Sequence, residues 1–152
     1  MKQKVYIMCG IPGSGKSTWI SNNLDENIKI ISRDIIRYKL GYVDNPDEKV
    51  VLNKEQENHV TQIEYELINT YLSNGESIVI DDINSGKYRN KLINELRKYN
   101  VHIIGVNLIT PLEICIKRRN NQINPNILSR IQKRLTPITK EEVDELINVN
   151  NL

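Results

Sequence analysis

Val5-Tyr6-Ile7-Met8-Cys9-Gly10-Ile11-Pro12-Gly13-Ser14-Gly15-Lys16-Ser17 begins as an apolar, partly β-branched run and passes through three glycines to a lysine and a hydroxyl. The first five residues read as a strand covered on both faces, as in parallel sheets. The next eight fit Gly, four free positions, Gly-Lys and then Ser or Thr, placed after a strand and ahead of a helix. Gly10, Gly13 and Gly15 let the backbone curl so that consecutive N–H groups point inward, and the following helix adds the positive end of its dipole. Such a loop wraps a phosphate chain. Lys16 supplies a mobile cation to the β- and γ-phosphates, Ser17 a hydroxyl ligand for Mg2+, and Ser14 and Thr18 further phosphate contacts. The expected ligands are therefore ATP, or another nucleoside triphosphate, and Mg2+. Switches, motors and kinases share this loop, so the reaction is left open.

Outward from it, residues 28–31, 78–80 and 101–109 are further short, β-branched runs, which brings the expected strands to four. Helical patterns lie between them: a short one after Lys16, one near 34–40, a long one around 54–72 and another over about 87–99. Strands alternating with helices imply right-handed crossovers and an α/β fold, a four-stranded, mainly parallel sheet with helices on both faces. Thr110-Pro111-Leu112-Glu113 offers an N-cap, a proline at N1 and a glutamate at N3. Thr139-Lys140-Glu141-Glu142 is a second capping box, which predicts a C-terminal helix with a frayed tail after Asn148. Without repeats, low-complexity tracts or a linker, residues 1–152 read as one domain.

Composition narrows the setting. A chain of 152 residues with 39% hydrophobic and 26% charged residues can bury a core without disulfides or a structural metal. No apolar run is long enough to span a membrane, and the N-terminus reaches a glycine turn where a signal peptide would need its apolar stretch. Cys9 and Cys115 are too few for a disulfide framework and lack metal-type spacing, so both are expected as small buried hydrophobes. A cytoplasmic protein fits these features. Net charge is only +2, yet residues 44–76 hold eight acids against two lysines, whereas 87–134 hold eleven Lys and Arg against two acids. The second segment is a candidate polyanion surface, or else a set of solvated helix faces.

Two further clusters carry chemistry. Ser32-Arg33-Asp34-Ile35-Ile36-Arg37 follows the second strand, and ligands of parallel sheets bind beyond the carboxyl ends of strands, on the rim that holds the phosphate loop. A carboxylate between two guanidinium groups is placed to accept a proton or orient a hydroxyl. Arg33 and Arg37 lie one helical turn apart and can meet one phosphate. After the third strand, Asp81-Asp82-Ile83-Asn84 resembles the strand-plus-aspartate pattern beside phosphate loops. Because neighbours in an extended chain point to opposite faces, only one of the two aspartates is expected in the site. His59 and His102 carry no evident chemistry, and Trp19 reads as packing.

In combination, Gly-Ile-Pro-Gly-Ser-Gly-Lys-Ser-Thr-Trp (10–19), Ser-Arg-Asp-x-x-Arg (32–37), Asp-Ile-Asn (82–84) and Lys-Arg-Arg-Asn (117–120) resemble the phosphate-loop polynucleotide 5′-kinases over residues 4 to about 135. The Arg-Asp-x-x-Arg placed some 17 residues after the loop lysine makes the likeness specific. The resemblance implies transfer of the ATP γ-phosphate to the 5′-hydroxyl end of DNA or RNA. Asp34 would be the general base and Arg37 would grip the phosphate on the 3′ side of the terminal nucleoside. Arg33 would assist there, and Asp82 would match the family's active-site aspartate. The family's longer basic lid is shortened here, so its catalytic arginine falls to Arg119, Arg118 or Arg130. No Asp-x-Asp-x-Thr motif for an accompanying phosphatase occurs. The alternatives are a kinase of a nucleoside, nucleotide or other small metabolite, and a nucleotide-dependent switch without transfer chemistry.

Overall fold

The computed structural model of the chain describes residues 2–46, 51–120 and 122–150. Within them, β1 (Gln3–Cys9), β2 (Lys29–Ile31), β3 (Ile78–Ile80), β4 (Val101–Ile109) and β5 (Glu145–Asn150) form one sheet in the order β2-β3-β1-β4-β5. Every adjacent pair is parallel. The helices are α1 (Lys16–Asn23), α2 (Arg33–Lys39), α3 (Lys54–Ser73), α4 (Gly86–Leu96), α5 (Leu112–Arg119) and α6 (Pro125–Arg134).

Alternate residues of the central strands feed two separate cores, as the two-residue strand period requires. Val5, Ile7, Ile78, Ile80 and Ile103 pack with Ile36 of α2, Val60, Ile68 and Leu72 of α3, and Leu92 and Leu96 of α4. Met8, Val79, Ile104, Val106 and Leu108 pack on the other face with Ile20 of α1, and Trp19 adds its ring there beside Tyr6. Two-sided cover explains why the apolar runs are nearly continuous rather than alternating. Cys9 and Cys115 are buried free thiols. Among the described residues no helix is long and apolar enough to cross a membrane.

Three expectations are corrected. The sheet has five strands, not four, because the residues expected as a C-terminal helix form β5. Half of its capping box forms: the Glu142 carboxylate accepts from the Thr139 N–H at 2.7 Å, while the Thr139 hydroxyl donates to that carboxylate at 3.2 Å instead of accepting from the Glu142 N–H. One turn later Val143 is buried in the core and the Asp144 carboxylate accepts from Ile103 N–H at 2.8 Å, which draws the chain onto the edge of β4. Fraying was expected after Asn148, yet Val149 and Asn150 still pair with Leu108 and Ile109 of β4; the rest of that tail lies outside the described residues. Thr110 is not the cap of α5, whose N-cap is Pro111; its hydroxyl donates to Ser14 O at 2.8 Å. Finally, α6 was not among the expected helices, although Asn124 as N-cap and Pro125 at N1 mark its start.

Because all strands run the same way, their carboxyl ends share one rim. The segment Gly10–Gly15 leaves β1 there, α2 leaves β2, Asp81–Ser85 leaves β3, and Thr110 with α5 leaves β4.

Candidate active site

The loop after β1 is built from backbone. Gly13 and Gly15 stand at φ 84° and 102°, left-handed values that side chains rarely adopt. Gly15 is also the N-cap of α1 and offers no side-chain cap, which leaves the helix N-terminus open to an anion. Gly13 is fixed a second way, since a Cβ there would lie 2.8 Å from the carbonyl oxygen of Cys115. α5 therefore touches the loop, and Arg118 donates to Gly13 O at 3.1 Å. The Lys16 ammonium folds over the loop and donates to Gly10 O at 2.7 Å and Ile11 O at 3.1 Å.

The cluster beyond β2 is built from side chains. Ser32 caps α2, accepting from Ile35 N–H, and this turn fixes Arg33, Asp34 and Arg37. Arg37 donates to Asp34 Oδ1 at 2.9 Å and to both oxygens of Glu57 at 2.9 and 3.1 Å. Arg33 turns toward α3, donating to Glu57 Oε2 at 2.9 Å and Thr61 Oγ1 at 3.0 Å, with Glu64 Oε1 at 3.5 Å. Both arginines thus converge on Glu57, where the sequence suggested a shared phosphate. Burial alone would lower Arg37, but the hydrogen bonds and charge of Glu57 outweigh it and raise the guanidinium pKa further. Burial would raise Glu57, and the bonds from Arg37 and Arg33 outweigh that and hold it below the usual carboxylate range.

Beneath this pair lies an acid couple. Asp82 Oδ1 accepts from the Arg33 N–H at 2.9 Å, while its shielded Oδ2 finds no donor among the described residues. Glu64, 5% exposed, lies close enough to share a hydrogen bond with Asp82. Burial, and then the charge of Glu64, pushes Asp82 well up. Burial pushes Glu64 up as well, against the pull of Arg33. Both shifts run toward the protonated form, in which one carboxyl group can donate to the other.

Both halves face one open cavity of about 1250 Å3. Gly13, Gly15, Lys16, Ser17 and Thr18 line it from the loop, and Arg33, Asp34, Arg37 and Asp82 from the other side. Asp81 lines it as well, contrary to the expectation that only one of the two aspartates would. Gly10 and the buried Ser14 lie behind the lining and shape the loop. Arg118, Arg119 and Arg130, the three candidates for the lid role, all border the cavity, joined by Arg134. The basic segment is not one surface: Arg89 is 4% exposed and turned inward to Glu142 and to the carbonyls of Thr136 and Pro137. Sequence reasoning missed Glu57 and Glu64. Glu64 had a signal, an acid inside the apolar stripe Val60, Ile68, Leu72 of α3. Glu57 lies in the first turn of that helix, where an acid is ordinary dipole complementation.

Among the described residues no group of three or more His, Cys, Asp or Glu forms a metal cage. Mg2+ keeps waters and takes phosphate oxygens, so it needs few protein ligands. Ser17 and Asp81, hard oxygen donors lining the same cavity, fit that requirement.

A family model described as an AAA domain matches residues 5–142. Among solved structures, a Pnkp1/Rnl/Hen1 complex matches at 23% identity and TM-score 0.66, over 77% of this chain and 39% of that one. A sugar kinase from Janibacter matches at 18% identity and TM-score 0.69, over 99% of this chain and 86% of that one. The Mycobacterium tuberculosis APS kinase CysC, in complex with AMPPNP and APS, matches at 15% identity and TM-score 0.62, over 99% and 91%. At identities this low the likeness shows the fold alone, an α/β fold that this chain shares with those structures. The chain spans about two fifths of the Pnkp1/Rnl/Hen1 chains it matches.

Proposed function

The chain belongs to the AAA-domain family matched over residues 5–142, and from that premise we propose that it is an ATP-dependent kinase of polynucleotide 5′-hydroxyl ends, DNA or RNA. The observation that carries the reading is that Asp34 and Lys16 line one cavity, with the arginines of α5 and α6 bordering it. Asp34 accepts the proton of the 5′-hydroxyl as that oxygen bonds the γ-phosphorus. The bond from the γ-phosphorus to the β–γ bridging oxygen breaks, and ADP leaves. Loop N–H groups and Lys16 hold the phosphates, and Arg118, Arg119 or Arg130 meets the charge that develops on the transferring group. Mg2+, held through Ser17 with Asp81 nearby, supplies further neutralisation of phosphate charge when bound. Arg37, already seated beside Asp34, grips the acceptor phosphate 3′ to the terminal nucleoside.

Purified protein with γ-labelled ATP should label a 5′-hydroxyl oligonucleotide and a nucleoside 3′-monophosphate well, and a bare nucleoside poorly. Arg37→Ala should cost about 1.5–3 kcal/mol with the phosphate-bearing acceptors alone. Equal labelling of the bare nucleoside would overturn the Arg37 role.

A second reading, a kinase of a small metabolite, is favoured by one observation. Arg37 is already engaged by two carboxylates, Glu57 and Asp34, as befits an acceptor that needs no anion clamp. The same three acceptors, set beside a sugar, decide between them.

A further inference from the structure

Tyr88 is 66% exposed on the first turn of α4, lines the cavity, and makes no hydrogen bond through its hydroxyl among the described residues. Packing does not explain its position. Arg33 does bear on it, because the guanidinium carbon lies 5.7 Å from the ring centroid. That guanidinium cannot wander, since Glu57, Thr61 and Glu64 hold it from the side of α3. The phenol ring therefore rests against a fixed cation, in a cavity that Asp34 also lines.

The surroundings select what such a ring receives. Ile83 lines the cavity beside the Asp82 turn, and Ile35, 41% exposed, lines it from α2 next to Asp34. Exposed apolar side chains scattered singly mean little, and Pro12, Ile127 and Ile131 line the cavity as well, but Ile35, Ile83 and Tyr88 line it from the same segments, α2 and the residues after β3, that carry Asp34 and Asp82. A sugar or sulfate acceptor would need hydrogen-bonding groups there. A flat, weakly hydrated ring matches, and a cation on the far face of an aromatic strengthens its hold on a π-system.

We propose that Tyr88, braced by Arg33, is the stacking platform for the nucleobase of the 5′-terminal nucleoside of the acceptor. The proposal rests on the polynucleotide-kinase reading and deepens it, since it makes the base, besides the hydroxyl and the 3′ phosphate, part of what is recognised. Stacking reads no hydrogen-bond pattern, so all four bases are accepted.

The test is steady-state phosphorylation by the intact chain of a 5′-hydroxyl oligonucleotide and of the same strand with an abasic sugar at its first or its second position. Tyr88→Ala should raise KM for the intact strand by about 5- to 150-fold, the equivalent of losing one base–aromatic stack. KM for ATP should stay unchanged. On the strand abasic at the first position the same substitution should do nothing, whereas on the strand abasic at the second position it should act in full. Tyr88→Phe, which keeps the ring, should restore KM. A Tyr88→Ala KM within twofold of the parent on the intact strand overturns the proposal, as does an equal effect on the first-position abasic strand. If the parent labels no oligonucleotide but labels a sugar, the polynucleotide reading itself fails and this proposal falls with it. Labelling of strands without a Tyr88 effect leaves that reading standing and removes only the stacking platform.

Discussion

The two sides of the cavity hold charge in different ways. On the nucleotide side, residues 10–18 present N–H groups on a backbone bent by Gly13 and Gly15, with a helix N-terminus left uncapped. On the side proposed for the acceptor, Arg33 and Arg37 are compensated by Asp34, Glu57 and Glu64, drawn from α2 and from α3. A backbone cradle gains its partner when phosphate arrives and has little to give up. An ion-pair cluster must exchange one partner for another, so its affinity is a difference between two pairings. Apart from Lys16 and Ser17, the side proposed for the nucleotide should tolerate changes of side chain and fail on changes of backbone, and the side proposed for the acceptor the reverse.

The largest expected effect isolates the acceptor side. Asp34→Asn keeps the shape and a hydrogen-bond acceptor for Arg37 but removes the base, and should lower kcat by about 10²–10⁴. KM for ATP should not move. A Asp34→Asn protein that turns over at the parental rate removes the base from position 34, and one that loses ATP affinity joins the two sides the comparison separates. Gly13→Ala is the reciprocal change. Its methyl meets the Cys115 carbonyl at 2.8 Å, and its φ of 84° is unfavourable for alanine, a cost of about 1–3 kcal/mol. Thermal unfolding should move down and ATP binding weaken, measured by titration with a non-hydrolysable analogue. Whatever turnover survives should discriminate acceptors as the parent does.

The same contrast explains what could be read in the chain without coordinates. The loop is contiguous, so its spacing carries its geometry, and β1, β3 and β4 show as runs because burial on both faces favours apolar residues along most of their length. The Arg33–Glu57–Arg37 cluster spans more than 20 residues, and nothing local to Glu57 distinguishes it from an acid in a helix's first turn. The C-terminal segment misleads for a related reason. Thr139 and Glu142 make the local bonds of a helix start, but Glu142 also holds the inward-turned Arg89, and Asp144 holds Ile103 N–H and Arg97. Those non-local bonds decide the path of the chain, and a window of four residues cannot contain them.

Glu57 and Glu64, seven residues apart on α3, divide the acceptor cluster itself and predict opposite responses to pH. Glu57 is held below its ordinary value in the fold by the two arginines, after burial is overcome. Its contribution is present above the unfolded value of about 4.3 and is lost as pH falls through the lower folded value. Thermal unfolding of Glu57→Gln should therefore lie below the parent near neutrality, and the gap should close in acid. A gap that stays constant down to pH 3 would remove the ion pairs as its source.

Glu64 works the other way, with the smaller effect. Burial raises its pKa and that of Asp82, so the native state holds a proton that the unfolded chain has released. Native stability then falls as pH rises from about 4.3 through the raised folded value, and the penalty is full above it. Glu64→Gln has no such proton to lose and can still accept from Arg33, so its melting temperature relative to the parent should climb with pH over that window. The climb amounts to about 2–4 °C for each kcal/mol of penalty released. A difference that is flat, or falls, from pH 4 to pH 8 would mean that Arg33 fully compensates Glu64 and that Asp82 keeps its proton without help. Glu64 would then be one half of an ordinary ion pair with Arg33, and Asp82 alone would remain as a group whose charge burial opposes.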